Sequence, residues 1–345
     1  MNSPIDSRAG TLSSATPAVR VLPAYREIKE NVTMTKDEAF QLFEQLGIPA
    51  NEMTHVKGSF DKDIFIVDGS YILRPTEQGI DEQVACFHRI RHLPRVPKIV
   101  KTGTFAPGKT YNYLLLTQVP GVEYYSVIEG LNDRENDALG REIAQFLAEL
   151  HRNSGPSYDI GHYIPIVKGH TGTWREGHEK YWAFLRENLA KTTLTRRART
   201  VVNEALARLD ALKECLDYQT GPVLLHNDFH PKNIIVKDTA FSGVIDWECS
   251  QYGEADFDLC HLFHWCLFPP DEGRAFRAVL QAVLDSSAPC ATVPGLCERQ
   301  AVYQIEQDLL QLLWSGGAAE NARIPRLEAW INGAVQNLVR ALRVP

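Results

Sequence analysis

The feature that most constrains this chain is a set of polar residues held at fixed spacing between short apolar runs. Leu225-His226-Asn227-Asp228-Phe229-His230-Pro231-Lys232-Asn233-Ile234-Ile235-Val236 is followed, after a turn, by Val244-Ile245-Asp246-Trp247-Glu248. The runs Val223-Leu224-Leu225, Ile234-Ile235-Val236 and Val244-Ile245 read as short buried strands. Asp228 then falls in a loop after the first strand, Asn233 at the start of the second and Asp246 at the end of the third. A hairpin joining the second and third strands sets Asn233 beside Asp246, with Asp228 facing them across the loop. A single loop Asp is usually a turn former or a cap, and His226 alone reads as a structural histidine. Residue types, spacing and strand context together are improbable by chance.

These are the parts that phosphoryl transfer requires. The transferring group carries dispersed negative charge and needs magnesium and positioning more than covalent help. Magnesium takes hard oxygen ligands, one or two from protein and the rest from phosphate and water. An acceptor hydroxyl needs a carboxylate in hydrogen-bond reach to take its proton. Asn233 and Asp246 supply the two oxygens, and Asp228 the proton acceptor.

The rest of the chain changes character near its first third. Thr35-Lys36-Asp37-Glu38 is a capping box that opens a helix carrying Phe40, Leu42, Phe43 and Leu46 and stopping at Gly47. Ile64 to Val67, an Asp68-Gly69 turn and Tyr71 to Leu73 predict a hairpin. A helix is expected from about Gly79 to His92, a strand around Ile99, and a buried strand over Tyr113–Val119 ending at Pro120-Gly121. From Asn132 the period becomes helical: Leu139, Ile143, Phe146, Leu147 and Leu150 share a face and lead to His151. Further helices are expected over Trp174–Leu189, Arg196–Leu216, Leu259–Leu267, Glu272–Leu284, Glu298–Trp314 and Arg326–Leu342. Residues 1–22, rich in Ser, Ala and Pro, read as a disordered lead-in, neither signal peptide nor anchor. Residues 23–120 form a small α+β lobe and 121–345 a larger helical one.

The segment from His226 to Asp258 resembles the catalytic and metal-binding loops of the aminoglycoside phosphotransferase and choline kinase family, relatives of the protein kinases. The likeness runs from about Val56 to Leu267. It implies a protein-kinase-like two-lobe fold, with ATP and Mg2+ as cofactors. Residues 23–120 become the nucleotide-binding lobe, and 121–345 the catalytic and acceptor-binding lobe. By the resemblance Asp228 is the base, Asn233 and Asp246 bind magnesium, and His226 and Asp258 support the loop. Gly58 to Asp63, with Ser59, is similar to the turn that covers the nucleotide. Arg74 stands where the family has a Lys or Arg on the α- and β-phosphates, a partial departure because a guanidinium fork differs from a point charge. Glu82 matches the carboxylate that pairs with that cation. Thr117 and Val119 match the hinge that binds adenine, and His230 and Lys232 are within reach of the γ-phosphate.

The resemblance does not name the acceptor. Glu248, Tyr252, Trp265, Glu306 and Asp308 are the candidate contacts, because aromatic faces with carboxylates suit an amine-bearing molecule. The expected reaction is ATP-dependent phosphorylation of a hydroxyl on such a molecule, as in the antibiotic-modifying branch. A choline, ethanolamine or sugar kinase and a non-catalytic nucleotide-binding relative are the alternatives. Cys260, His261, His264 and Cys266 lack a C-x-x-C pairing and read as core packing rather than a zinc site.

Composition narrows the setting. A formal net charge of −7 argues against a nucleic-acid partner. No run approaches the roughly 18 apolar residues of a membrane helix. Seven cysteines, an odd number without C-x-x-C, point to reduced thiols and a cytoplasmic protein. The expected partner is a small hydroxyl-bearing molecule, with oligomeric state left open.

Overall fold

Alternating burial along β5 (Tyr111–Thr117) shows how the first part is built: Tyr111, Tyr113 and Leu115 pack on one face of a sheet and Leu114 and Leu116 on the other. The structure, a computed structural model of the protein, describes residues 34–57, 63–76, 80–160, 169, 172–268 and 273–342. The expected lead-in at 1–22 and the Ser59 turn lie outside them. The antiparallel sheet runs β1 (Met53–Lys57), β2 (Asp63–Val67), β3 (Tyr71–Thr76), β5, then β4 (Ile99–Phe105). Helix α1 (Lys36–Leu46) covers its outer face with Ala39, Leu42 and Phe43, against Phe65, Val67, Leu73 and Leu115. The capping box forms as the sequence predicts, with Thr35 and Glu38 each accepting the other's backbone amide. Helix α2 (Asp81–Ile90) adds Phe87 and Ile90 to the inner core.

β5 begins and ends two residues before the strand expected from sequence. Past Thr117 only one further rung is added, from the Gln118 amide to the Ser70 carbonyl. The chain then turns at Gly121, at φ +123°, where a Cβ would stand 2.3 Å from the Val236 carbonyl oxygen. That close approach lets the two-residue β6 (Val122–Glu123) pair with β8 (Ile234–Lys237), which pairs in turn with β9 (Ala240–Val244). A short helix α3 (Tyr124–Val127) follows β6.

The remainder is helical: α4 (Asp133–Leu150), α5 (Trp174–Lys191), α6 (Arg196–Leu212), α7 (Cys260–Leu267), α8 (Gly273–Leu284) and α9 (Leu296–Trp314). β7 (Val223–Leu225) pairs with β10 (Gln251–Gly253) among them. The single helix expected over Arg326–Leu342 is two, α10 (Glu320–Ile331) and α11 (Ala334–Leu342). Gly333, at φ +84°, breaks the helical path between them. None of the seven cysteines forms a disulfide, and no helix among the described residues is long and apolar enough to cross a membrane.

Candidate active site

The loop between β7 and β8 is shaped from below. Asp258, with 1% of its surface exposed, accepts the backbone amides of His226 at 3.1 Å and Asn227 at 2.7 Å. Its Oδ2 also meets His151 Nε2 at 2.9 Å. This anchor holds Asn227 in the left-handed region, at φ +64°. Fully buried His226 donates from Nε2 to the Ile245 carbonyl (2.8 Å) and accepts the Asp228 amide at Nδ1 (3.2 Å). Those partners define a neutral ring, and burial pushes its pKa below the ordinary value against the pull of Asp258 and Asp228.

Asp228, Asn233 and Asp246 come together as their spacing predicts. Asn233 Nδ2 donates to the Asp228 carbonyl at 2.9 Å and to its carboxylate at 3.1 Å. The Asn233 carbonyl accepts the Ile245 amide at 2.9 Å, which sets Asn233 at the mouth of the β8–β9 hairpin next to Asp246. Asp246 lies just past β9, in the left-handed region at φ +62°, with a carboxylate 45% exposed. With its amide nitrogen committed to Asp228, Asn233 has its side-chain oxygen for a ligand. Asn233 and Asp246 thus present two hard oxygen donors, the chemistry magnesium takes.

Two histidines flank the Asp228 carboxylate, His230 Nε2 at 3.4 Å and His261 Nε2 at 3.6 Å. Burial pushes the Asp228 carboxyl up, but the His230 hydrogen bond and the neighbouring His261, His230 and His226 rings outweigh it. The group is held well below the usual carboxylate range, ionised and able to accept a proton hydrogen-bonded to it. His261 comes from α7, where the sequence reads it as core packing. Its one signal as a site residue is the pair of imidazoles, His261 and His264, on an otherwise apolar helix.

Arg74 reaches the site from β3. It forms an ion pair with Glu248 and lies 3.9 Å from Asp246. Burial pulls its guanidinium below the ordinary value and Asp246 opposes the shift. Glu82 lies in the first turn of α2. The same helix grips the segment after Asp246: Arg89 donates to the Ser250 carbonyl at 3.2 Å, and Cys86 Sγ approaches the Glu248 carbonyl at 3.9 Å. At the end of β5 the Thr117 amide donates to the Lys98 carbonyl, while the Thr117 hydroxyl, not its carbonyl, takes the Lys98 amide at 2.9 Å. Val119 follows, nearly buried.

The five acceptor candidates separate. Trp265 stands at the loop, its ring centroid 5.8 Å from that of His230. Glu248 is committed to Arg74. Glu306 is buried and binds His178 Nδ1 at 2.6 Å and the Trp182 indole. Asp308 is buried and accepts from Arg323 at 2.9 Å and Trp330 at 2.7 Å. Tyr252 packs against Gly155 and beneath Arg89. Glu306 and Asp308 are therefore corrected as acceptor contacts. Helical spacing put them on α9, and packing turned them into the core. Lys232, expected near the γ-phosphate, holds its ammonium 4.8 Å above the Tyr125 ring and 5.6 Å from that of Trp265.

Residues 53–290 match the family described as phosphotransferase enzyme family. Among curated proteins the chain is 23% identical to hygromycin-B 4-O-kinase of Escherichia coli over 182 residues, 49% of this chain and 48% of that protein. It is also 23% identical to acyl-CoA dehydrogenase family member 11 of Mus musculus over 235 residues, 60% of this chain and 27% of that protein. The chain thus spans less than half the length of either. A solved aminoglycoside phosphotransferase in ternary complex with AMP-PNP and hygromycin B is 20% identical, with a TM-score of 0.64 over 87% of this chain and 99% of that one. An ADP-bound aminoglycoside phosphotransferase is 18% identical, with a TM-score of 0.56 over 88% and 99%. At these identities the structures establish the fold, the protein-kinase-like α+β architecture expected from the sequence.

Proposed function

The chain belongs to the phosphotransferase enzyme family, and from that premise we propose that it moves the γ-phosphoryl group of ATP onto a hydroxyl of a small molecule. The observation that carries this reading is the Asp228–Asn233 contact beside the half-exposed carboxylate of Asp246. Asp228, ionised and oriented by Asn233, accepts the proton of the acceptor hydroxyl as its oxygen bonds to the γ-phosphorus. The bond from that phosphorus to the β–γ bridging oxygen breaks, and ADP leaves. Arg74, oriented by Glu248, presents a guanidinium to the α- and β-phosphates. Asp258 and His226 hold the loop so that the base does not wander.

Magnesium would be held by the side-chain oxygens of Asn233 and Asp246, and when bound would neutralise charge on the phosphates. The Thr117 carbonyl, outside the rung to Lys98, suits the adenine amino group, and the Val119 amide a ring nitrogen. In this reading residues 23–120 carry the nucleotide and 121–345 the base and the acceptor, in a cytoplasmic enzyme.

The test is ADP release from Mg·ATP with a panel of hydroxyl-bearing small molecules, together with the thermal shift caused by Mg·ATP. Turnover by wild type and none by Asp228→Ala, with nucleotide binding kept, is the expected pattern. No stabilisation by Mg·ATP, or full activity in Asp228→Ala, would overturn the assignment.

A further inference from the structure

The face of α7 that leads away from Asp228 is aromatic and cationic. Along α7 the residues left partly exposed are His261, His264, Trp265, Leu267 and, just past its end, Phe268, while Cys260, Leu262, Phe263 and Cys266 are buried. That face begins at the base, where His261 stands 3.6 Å from Asp228. It continues to Arg326, whose Nη1 donates to His264 Nε2 at 3.0 Å and whose guanidinium lies 5.2 Å over the Phe268 ring. Lys232 adds a second cation beside Trp265, over the cluster of Tyr125, Trp265 and Phe276.

Among the described residues these cations have no carboxylate to themselves. Among the described residues no carboxylate forms an ion pair with Lys232 or Arg326. The nearby Asp308 is taken by Arg323 and Trp330. His264 is no substitute: its Nδ1 meets Gln304 Oε1 at 3.2 Å, so the nitrogen facing Arg326 is the bare acceptor of a neutral ring. Burial, and then the charge of Arg326, keeps that ring neutral, with a pKa pushed down to about 3. Arg323 and Arg326 thus share the one carboxylate of Asp308, which leaves a cation in excess on this face. The three candidate carboxylates that would suit an amine, Glu248, Glu306 and Asp308, all have protein partners.

We infer that the acceptor is an anion: a molecule that offers its hydroxyl to Asp228 and a carboxylate or phosphate to Arg326, with Lys232 beside its path. This rests on the kinase reading and names the substrate class for the same site. From His261 to His264 and Phe268 the helix advances about 5 to 10 Å, which sets the spacing of hydroxyl and anion. Trp265 and Phe268 line that span and suit an apolar linker.

The test uses the full chain with Mg·ATP and matched acceptors on one carbon skeleton: ω-hydroxy carboxylates of graded length, their neutral amides, the corresponding amino alcohols, and hydroxyalkyl phosphates. Calorimetric binding of each acceptor with Mg·AMP-PNP present gives a readout independent of turnover. Anionic acceptors are expected to bind and react at least about tenfold better than the amides, a difference of about 1.4 kcal/mol. Whether carboxylate or phosphate wins identifies the anion. Arg326→Gln should raise KM for the anionic acceptor about tenfold with kcat retained. Arg326→Glu should shift preference toward the amino alcohol, which a purely structural arginine would not do. Preference for the amino alcohols or for an aminoglycoside would overturn the inference. So would absent binding of every anionic probe by a protein that still binds Mg·ATP, or an unchanged KM in a normally folded Arg326→Gln. Loss of Mg·ATP binding itself would instead count against the kinase reading.

Discussion

Asn233 donates the same side-chain nitrogen to Asp228 twice, to the backbone carbonyl at 2.9 Å and to the carboxylate at 3.1 Å. One residue thus orients the base and faces its own oxygen toward the metal position. Asn233→Asp keeps an oxygen donor but removes the N–H and sets a second negative charge against Asp228. We expect kcat to fall by roughly 100-fold or more, with magnesium-dependent nucleotide binding retained. Steady-state kinetics beside a Mg·ATP titration checks this. A mild loss in kcat with a large loss in metal affinity would mean that the amide's contact with the base is incidental.

The Asp228 carboxyl is held well below the usual range, and its contact with His230 is a leading cause. Because the folded-state pKa lies below the unfolded one, the ionised group adds stability above the ordinary carboxylate range. That contribution is lost only as pH falls through the depressed value. Wild-type kcat should therefore show no acid limb from Asp228 between about pH 5 and 8. His230→Ala removes the hydrogen bond and moves the acid limb of the pH–rate profile upward. An unmoved limb would show that His230 does not set the charge state of the base.

Arg74 and Glu248 are 174 positions apart and form an ion pair in the site. Glu248→Gln keeps the shape of the side chain but loosens the guanidinium. KM for ATP is expected to rise about three- to tenfold while KM for the acceptor stays put, as for a partly buried pair worth about 1 kcal/mol. A change confined to the acceptor KM would return Glu248 to the acceptor site.

Asp258 accepts two backbone amides and pairs with His151 while almost wholly buried. Asp258→Ala leaves those donors unsatisfied and should cost about 3 to 5 kcal/mol in stability. Urea denaturation of the two proteins measures it. A loss below about 1 kcal/mol would mean that water replaces the carboxylate readily.

What the sequence alone determined lies close together along the chain. Asp228, Asn233 and Asp246 span 19 positions in and around two short strands, so one hairpin register brings them together. The Thr35–Glu38 cap and the Asp68-Gly69 turn were legible for the same reason, since their hydrogen bonds are local. The break at Gly333 was missed because apolar spacing continues across it, and only the backbone shows the left-handed turn. The tertiary structure alone decided which charges meet. A carboxylate on α9 faces a cleft or a core according to its neighbours. Packing against His178 and Trp182 took Glu306 inward, while Asp308 met Arg323 and Trp330. His261 reached the base, and Arg326 met His264 while sharing the charge of Asp308 with Arg323, for the same reason. Pairing between distant residues follows from the burial of whole helices, which short-range spacing does not encode.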